Sequence, residues 1–235
     1  MAAGLRVRNN ASSLVIDENF FNFALISKQT LQFNGGTAGP VSGGYGNQAK
    51  VTISGLDTPL VAARASVPWT VSRRIRNSNG DWEFGFISAH GAGATPSDTI
   101  EIFVFDRPKL LTSGGAGLIV RDASGKPTFD SRQKYMRVVD ATTLTGASPA
   151  GTITLPAGDY AQLVTVPAFR WMGTQASPSA PWQWACSASL ITSSATGCTV
   201  ASQNTGEGTY ASFGNPAPVA SSTQMQIITV NVAGY

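Results

Sequence analysis

Apolar and polar residues alternate along most of this chain, which is the two-residue period of β-strands. Segment 99–105 is apolar on both faces, with two isoleucines and Val104 on one face and two phenylalanines on the other. A strand that is apolar on both faces is typical of a buried position inside a sheet. No stretch longer than ten residues shows the period of an amphipathic helix. The pattern therefore predicts an all-β fold of sandwich-like antiparallel sheets with hairpins and little or no helix.

Short alternating segments follow one another, separated by Gly, Pro and Asn, which is typical of a sandwich. The longer strands are predicted at 4–8, 13–17, 22–33, 50–54, 67–76, 82–88, 99–105, 151–155, 159–166, 169–172 and 225–232. Asn77–Gly80 is predicted to be a tight turn between two of them. The glycine-rich segment 35–46 has no lysine in a phosphate-binding position, so a loop is expected there.

The segment from Gly117 to Asp140 predicts a β-hairpin. Its sequence is GLIVRDASGKPTFDSRQKYMRVVD. The turn falls within DASGKP, where Gly125 is free to adopt a positive φ and Pro127 ends any helix. Phe129, Tyr135 and Val138 mark the returning strand. We take Gly125 and Asp130 as structural turn residues, together with Asp17 in the N-terminal copy.

The N-terminus repeats this hairpin. When Gly4 is placed on Gly117 without gaps, glycine, leucine, valine and arginine coincide in turn, and Asp17 falls on Asp130. The apolar residues of the following strand also coincide. Internal similarity of this kind usually indicates a repeated supersecondary unit. We therefore expect segments 4–26 and 117–139 to be equivalent hairpins, although two unrelated hairpins would also share a glycine, some valines and an aspartate.

The phrase G-L-x-V-x-D-A-S-G-x-x-x-F-D-S followed by an apolar strand resembles segments of small tail-tip or baseplate proteins of tailed bacteriophages. The opening GLRVRNNASSLVID resembles the start of such proteins. The resemblance covers the two hairpins and brings no catalytic residues with it. It implies a virion structural protein that acts by self-assembly and by contact with other tail proteins. It also implies assembly in the bacterial cytoplasm and location in the virion.

Charge divides the chain near residue 140. Only Asp159, Arg170 and Glu207 are charged in residues 141–235, whereas residues 1–140 hold the other charged side chains. This contrast predicts a sandwich-like domain over 1–140, with the two repeated hairpins, and a smaller charge-poor β region over 141–235 that serves as an assembly or tip domain. A free monomer usually carries more surface charge.

Self-association through residues 141–235 follows as an expectation, because their strands carry many apolar residues. The resemblance to threefold phage tail tips favours a trimer over a dimer. Alternatively, Ser, Thr and Gln cover the surface, and the chain stays monomeric until it meets a different tail protein.

A second function class is a receptor- or glycan-binding module that attaches the virion to its host. Its contact residues would be aromatic platforms in the charge-poor region: Trp171, Trp182, Trp184 and Tyr210. The alternative is that these side chains fill a core, as is expected for Trp69 and Trp82.

Enzyme chemistry has little support, and we predict neither a catalytic residue, a cofactor nor a metal. The sole histidine, His90, lies in a glycine-rich loop, and no Gly-x-Ser-x-Gly elbow is present. Asp81 and Glu83 are close in sequence, but we expect solvent-facing strand residues rather than the paired carboxylates of a hydrolase.

Cys186 and Cys198 would lie opposite each other if a hairpin turned at Thr192, and a cross-strand disulfide would then satisfy the geometry. The alternative is two half-buried thiols, which cytosolic synthesis favours.

A net charge of +3 and the absence of a basic run interleaved with aromatics argue against nucleic acid. The start MAAGLRVRNN lacks an apolar signal region, and no stretch is apolar for about 18 residues. We therefore expect neither a secretory signal nor membrane insertion.

Overall fold

The structure, a computed structural model, describes residues 7–8, 14–16, 21–34, 42–89, 95–111, 115–174, 183–209 and 220–235. Within these ranges the chain forms strands, turns and bends and no helix. The predicted all-β, sandwich-like fold is confirmed.

The strands of residues 1–140 begin in the N-terminal hairpin and continue into the boundary region. They are β1 (Val7–Arg8), β2 (Leu14–Ile16), β3 (Ala24–Gln32), β4 (Ser42–Tyr45), β5 (Gln48–Ile53), β6 (Leu60–Arg64), β7 (Trp69–Arg76), β8 (Trp82–Ser88), β9 (Thr99–Asp106), β10 (Ile119–Arg121), β11 (Pro127–Asp130) and β12 (Arg137–Thr145).

The remaining strands include the two longest in the described chain. They are β13 (Gly151–Thr154), β14 (Tyr160–Val166), β15 (Phe169–Thr174), β16 (Gln183–Ser194), β17 (Gly197–Thr209), β18 (Ala220–Ser221) and β19 (Gln224–Asn231).

Two large sheets face each other. One has six strands in the order β12-β19-β14-β6-β9-β3, and every pair that is recorded is antiparallel. The other has nine strands along the path β13-β17-β16-β7-β8-β5, with β15, β18 and β4 attached to its sides. Side chains from both sheets form the main core. This is the sandwich architecture that short alternating strands predicted.

Strand β9 is buried on both faces, as its pattern predicted. Ile102 and its neighbours two residues away pack in the core between the sheets. Phe103 and Phe105 are fully buried in a second cluster on the other face of the same sheet. Because β9 pairs with β6 on one side and β3 on the other, its backbone is also satisfied on both sides.

The division at residue 140 is not a boundary between separate sheets or cores. Residue 140 lies inside β12, and β14 and β19 lie between β12 and β6 in the six-stranded sheet. The main core combines Trp69 and Ile102 with Ile191 and Ile227. The difference in charge between residues 1–140 and 141–235 therefore does not separate two domains, because both parts contribute strands to the same sheet and the same core.

The apolar strand faces of residues 141–235 are buried within the chain itself. Those of Ile153, Leu163, Ile227 and Val230 are at most 6% exposed, and their neighbours pack on the same clusters. These apolar side chains, which motivated the prediction of self-association, are thus buried against residues of the first half of the chain. These four side chains are therefore not available to an interface between copies.

The two repeated hairpins have the same register. Val7 pairs with Ile16 in the first, and Val120 pairs with Phe129 at the corresponding positions in the second. Both ladders also shift register immediately after this valine. The described strands of the two segments therefore adopt the same local structure, while Asp17 lies outside the described residues.

The strands that follow the two hairpins start side by side. The Met136 N–H donates to the Phe23 carbonyl at 2.8 Å, so positions that are equivalent in the repeat face each other. From there β3 and β12 diverge to opposite edges of the six-stranded sheet. The C-terminal Tyr235 packs against Phe103 and Phe105 near this point and donates a hydrogen bond to the Tyr135 carbonyl. The repeat thus supplies both edge strands of one sheet.

Gly125 occupies the predicted turn with φ of +81°, which favours glycine. Asp122 Oδ1 accepts hydrogen bonds from the N–H groups of Ser124 and Lys126, both at 2.9 Å. The Gly125 N–H donates to the Asp122 carbonyl, also at 2.9 Å. The sequence DASGKP therefore closes the turn through an aspartate side chain.

Asp130 is fully buried and organises the segment that leads to β12. Its carboxylate accepts hydrogen bonds from the Arg132 backbone N–H and guanidinium, at 3.0, 2.9 and 2.6 Å. The hydrogen bonds from Arg132 lower the pKa of Asp130. Tyr135 donates its hydroxyl to the Asp130 carbonyl at 2.9 Å and stacks on Phe129. Asp130 is thus a structural residue.

Candidate functional site

Of the four aromatic residues proposed as a binding platform, the structure describes the backbones of two. The backbones of Trp171 and Trp184 lie in the adjacent strands β15 and β16, where Trp171 pairs with Cys186. Trp182 and Tyr210 lie outside the described residues, and the description does not extend to the side chains of Trp171 and Trp184. The structure therefore brings two of the four residues into neighbouring strands.

A cleft opens beside these strands because β16 changes its neighbour. Residues 183–188 of β16 pair with β15, whereas further along Ile191 pairs with Trp69 of β7. The two neighbours separate at this point and leave a cavity of about 640 Å³. Clefts that hold small ligands typically measure about 300–1,000 Å³. We call this cavity the fork cleft.

The fork cleft is lined by strands β5, β7, β8, β16 and β17 of the nine-stranded sheet, by the first residue of β15 and by the connection before it. Its residues are Gln48, Lys50, Thr70, Val71, Ser72, Arg73, Ile87, Pro167, Ala168, Phe169, Cys186, Ala188 and Thr205. Apolar side chains and a set of polar groups are thus mixed in one concavity, as in many ligand sites. The ring of Phe169 is 45% exposed, which is unusual for a phenylalanine beside a core.

The charges of the fork cleft are of one sign. Lys50 and Arg73 are the basic residues among the described lining residues, none of which is acidic. Arg73 Nε lies 2.6 Å from Glu83 Oε1, so part of its charge is neutralised from outside the lining. Lys50 is exposed. The cleft therefore presents a positive potential that favours an anion.

Thr70 lies in the lining with only 2% of its surface exposed. Its Oγ1 is shielded from solvent and has no hydrogen-bond partner within the described part of the chain. A buried hydroxyl without a partner costs about 1–3 kcal/mol. Such a group is expected where a ligand or a bound water supplies the missing contact.

Cys186 is half-buried in the same cleft, and burial raises the pKa of its thiol. Cys198 is buried, and burial together with Asp140 raises the pKa of that thiol to about 11. Both thiols are therefore protonated at neutral pH, which makes them poor nucleophiles.

The predicted disulfide geometry is wrong. The β16–β17 hairpin turns after Ser194, which pairs with Gly197, rather than at Thr192. Cys186 consequently pairs with Gly206, and Cys198 pairs with Ser193. The two cysteines are therefore seven residue positions apart along the ladder and do not face each other. Both are free thiols.

A second, polar cavity of about 320 Å³ lies beside an ion-pair network. Arg64 bridges Glu101 at 2.6 Å and Asp159 at 3.2 Å, and Lys28 lies 2.8 Å from Glu101. Burial raises the pKa of Glu101, but hydrogen bonds from Lys28 and Arg64 outweigh it and leave the pKa lowered. These groups satisfy one another, which is typical of a structural network joining β3, β6 and β9.

The carboxylates considered for hydrolysis have structural roles. Glu83 pairs with Arg73, and the Asp81 N–H donates to Asn77 Oδ1 in the predicted tight turn. His90 lies outside the described residues. Among the described residues no cluster of His, Cys, Asp and Glu is placed to hold a metal ion. Among the described residues, Glu83 and Asp81 thus take part in contacts that stabilise the β7–β8 hairpin.

Sequence reasoning missed the fork cleft because its lining comes from distant segments. Gln48 and Lys50, Thr70 and Arg73, and Cys186 become neighbours only through the order of strands in the sheet. No local motif marks them. The only hint in the sequence is Phe169, two residues after Pro167 at the start of a short strand.

Comparisons with protein-family models, curated proteins and solved structures found no match for this chain. Across the described residues, no helix is long and apolar enough to span a bilayer.

Proposed function

We propose that the chain is a structural protein of a bacteriophage tail tip or baseplate, which acts by self-assembly and by contact with other tail proteins. The observation that carries this proposal is the edge of the six-stranded sheet at β12. Within the described residues β12 pairs only with β19, so its other side offers backbone groups to a further strand. Open edges of this kind are usually blocked or used for pairing.

Apolar side chains accompany the open edge. Val138 is 51% exposed, and Val139 is 45% exposed, both at the start of β12. Leu118 is exposed on the neighbouring hairpin, where its N–H donates to Ser131 Oγ at 2.9 Å. An edge strand flanked by exposed apolar side chains is suited to permanent contact with another chain. We call the exposed Val138 and Val139 the β12 margin.

The repeated hairpin supports the same proposal. Its motif resembles phage tail proteins, and both copies lead directly into edge strands. Tail tips of such phages have threefold symmetry, so a homotrimer located in the virion is the expected assembly, with the β12 margin at its interface.

Light scattering on the full chain tests this proposal. The chain should associate at tens of micromolar, and the pair of changes Val138→Lys and Val139→Lys should make it monomeric without altering its circular dichroism. Ile75→Lys is the matched control, because Ile75 is also an exposed apolar strand residue but lies on β7. A monomeric parent chain, or an equal loss of association in the control, would contradict the role of the β12 margin.

The location in the virion has its own test. Mass spectrometry should find the chain in purified particles, and antibodies against it should label the tail end in electron micrographs. Presence in infected cells together with absence from purified particles would count against a structural role.

A second candidate function is host attachment through a receptor or glycan. The fork cleft favours it, because a cavity of about 640 Å³ lies directly beside the strands that carry Trp171 and Trp184. Trp182 and Tyr210 belong to the same proposal. Binding to a glycan array that disappears with Trp182→Ala would support it, whereas an array without any binding would argue for the structural role alone.

A further inference from the structure

We propose that the fork cleft binds a carboxylate-bearing sugar unit, such as a uronic or sialic acid residue of a surface glycan. This inference rests on the host-attachment candidate and specifies its ligand and its contact residues. It does not depend on assembly through the β12 margin.

The positive charges in the lining of the fork cleft favour an acidic ligand. Lys50 and Arg73 both line the cleft, and the lining residues that the structure describes include no carboxylate. Because Glu83 holds Arg73 at 2.6 Å, Lys50 is the cation that is positioned to meet a ligand carboxylate first. A charge-assisted hydrogen bond of this kind is stronger than one between neutral groups.

The remaining lining matches a sugar ring better than a bare anion. The exposed ring of Phe169 and the side chains of Ile87 and Ala188 provide an apolar wall for the C–H face of a sugar. The hydroxyl of Ser72 and the amide of Gln48 contribute polar groups to the same cavity. A simple anion would use the cations and leave the apolar wall empty.

The hydroxyl of Thr70 adds an independent observation. It belongs to the lining, is nine-tenths buried or more, and has no partner within the described residues. A sugar hydroxyl bound against this part of the lining is a suitable hydrogen-bond partner for it. Ligand binding would then satisfy a group that the free chain leaves unsatisfied.

A peptide is the competing occupant. Strand β7 pairs with β8 along one side, and on its other side only Trp69 meets β16 within the described residues. An extended peptide would add to this edge through backbone hydrogen bonds, which do not require an acidic group. The concentration of cations and polar side chains in the cleft favours the acidic sugar.

The test is a titration of the full chain with four probes: D-glucuronic acid, N-acetylneuraminic acid, D-glucose and sodium acetate. Isothermal calorimetry and ligand-observed NMR should detect at least one acidic sugar at millimolar concentration. Glucose, which lacks the carboxylate, and acetate, which lacks the ring, should bind at least about tenfold more weakly. Binding should weaken as salt is raised, because screening reduces the attraction to Lys50.

Three variants locate the site. Thr70→Val removes the hydroxyl at nearly constant volume, so it should weaken binding roughly three- to tenfold while leaving the melting temperature unchanged or higher. Lys50→Gln should weaken binding at least about tenfold, whereas the matched change Lys126→Gln in the distant hairpin turn should not. Phe169→Ala should weaken the binding of the sugar but not that of acetate.

Each outcome has a defined meaning. Failure of both acidic sugars to bind at millimolar concentration overturns the inference, as does binding that Thr70→Val and Lys50→Gln leave unchanged. Equal binding of glucose overturns the acidic specificity but leaves host attachment standing. Saturable binding of an extended peptide that Lys50→Gln does not affect would assign the cleft to strand addition and overturn the inference.

Discussion

A pair of core substitutions tests whether the chain is one cooperative unit. Ile102 on β9 lies before residue 140, and Ile227 on β19 lies after it. Both side chains are at most 1% exposed and belong to the same cluster between the sheets. We expect Ile102→Ala and Ile227→Ala to destabilise the same unfolding transition, because each leaves a cavity in one shared core.

The size of the expected loss of stability follows from the burial of the two isoleucines. Replacing a fully buried isoleucine by alanine costs about 2–5 kcal/mol, which combines lost transfer free energy and the cavity that remains. For a chain of this size, 1 kcal/mol lowers the melting temperature by about 2–4 °C. Each substitution should therefore lower it by about 4–20 °C, provided that the chain unfolds as one unit.

Scanning calorimetry and urea titration distinguish one unit from two. A single transition with equal calorimetric and van't Hoff enthalpies is expected for the parent chain and for both variants. Two independent domains would instead give two transitions, and each substitution would shift only its own. Leu110→Ala, at an exposed position outside the β12 margin, is the control and should change the free energy of unfolding by no more than about 0.5 kcal/mol.

Two resolved transitions, with Ile227→Ala moving only one of them, would refute the reasoning that β14 and β19 complete the sheet begun by the first half. A melting temperature unaffected by either substitution would refute the shared core itself.

Three further predictions concern local features. Gly125→Val should destabilise the hairpin turn by about 1–3 kcal/mol, because φ of +81° strains a β-branched residue, while Gly125→Asn should cost less; equal stabilities in urea would contradict this. Because the pKa values of Glu101 and Asp130 are lowered in the folded chain, the stability that they contribute is present above their ordinary values of 4.5 and 3.8 and is lost as pH falls through the lowered values. Urea midpoints should therefore fall between pH 5 and pH 3, and Asp130→Asn should flatten this dependence. Iodoacetamide should modify Cys186 faster than Cys198 in the native chain, since Cys198 is more buried and its pKa is about 11; equal rates would contradict this.

The sequence predicted the strands whose pattern is strong and local. Segment 99–105 alternates isoleucine and phenylalanine, and it became β9 with both faces buried. The turn at Asn77–Gly80 closes as predicted, with the Gly80 N–H donating to the Asn77 carbonyl at 3.0 Å. Such features can be predicted from the sequence because residues that are close in the chain determine them.

Features that depend on distant pairing were missed. Strand β6 was not predicted, because LVAAR is short and alternates only weakly, and it is stabilised by pairing with β9 and β14. Part of the glycine-rich segment predicted to be a loop forms β4 because β17 offers it an edge. Strand β17 extends through polar residues for which no strand is predicted, since its partner β16 satisfies their backbone groups.

The two edges of the six-stranded sheet are unequal, although both follow a copy of the same hairpin. Edge strand β3 carries an exposed lysine, Lys28, which lies 2.8 Å from Glu101. A lysine on an edge discourages pairing with another chain. Edge strand β12 carries Val138 and Val139 at the positions equivalent to Leu25 and Ile26 and leaves them exposed. We therefore expect contacts between copies at β12 and not at β3.

Converting the blocked edge into an open one tests this argument. Lys28→Val should give each copy a second edge that can pair, so that a copy already bound through β12 can bind a further copy through β3. The mass measured by light scattering should then rise with concentration without reaching a plateau. Lys28→Gln, which removes the charge and adds no apolar surface, should associate far less. If the valine variant keeps the mass of the parent chain, Lys28 does not block this edge, and the asymmetry between β3 and β12 must have another cause.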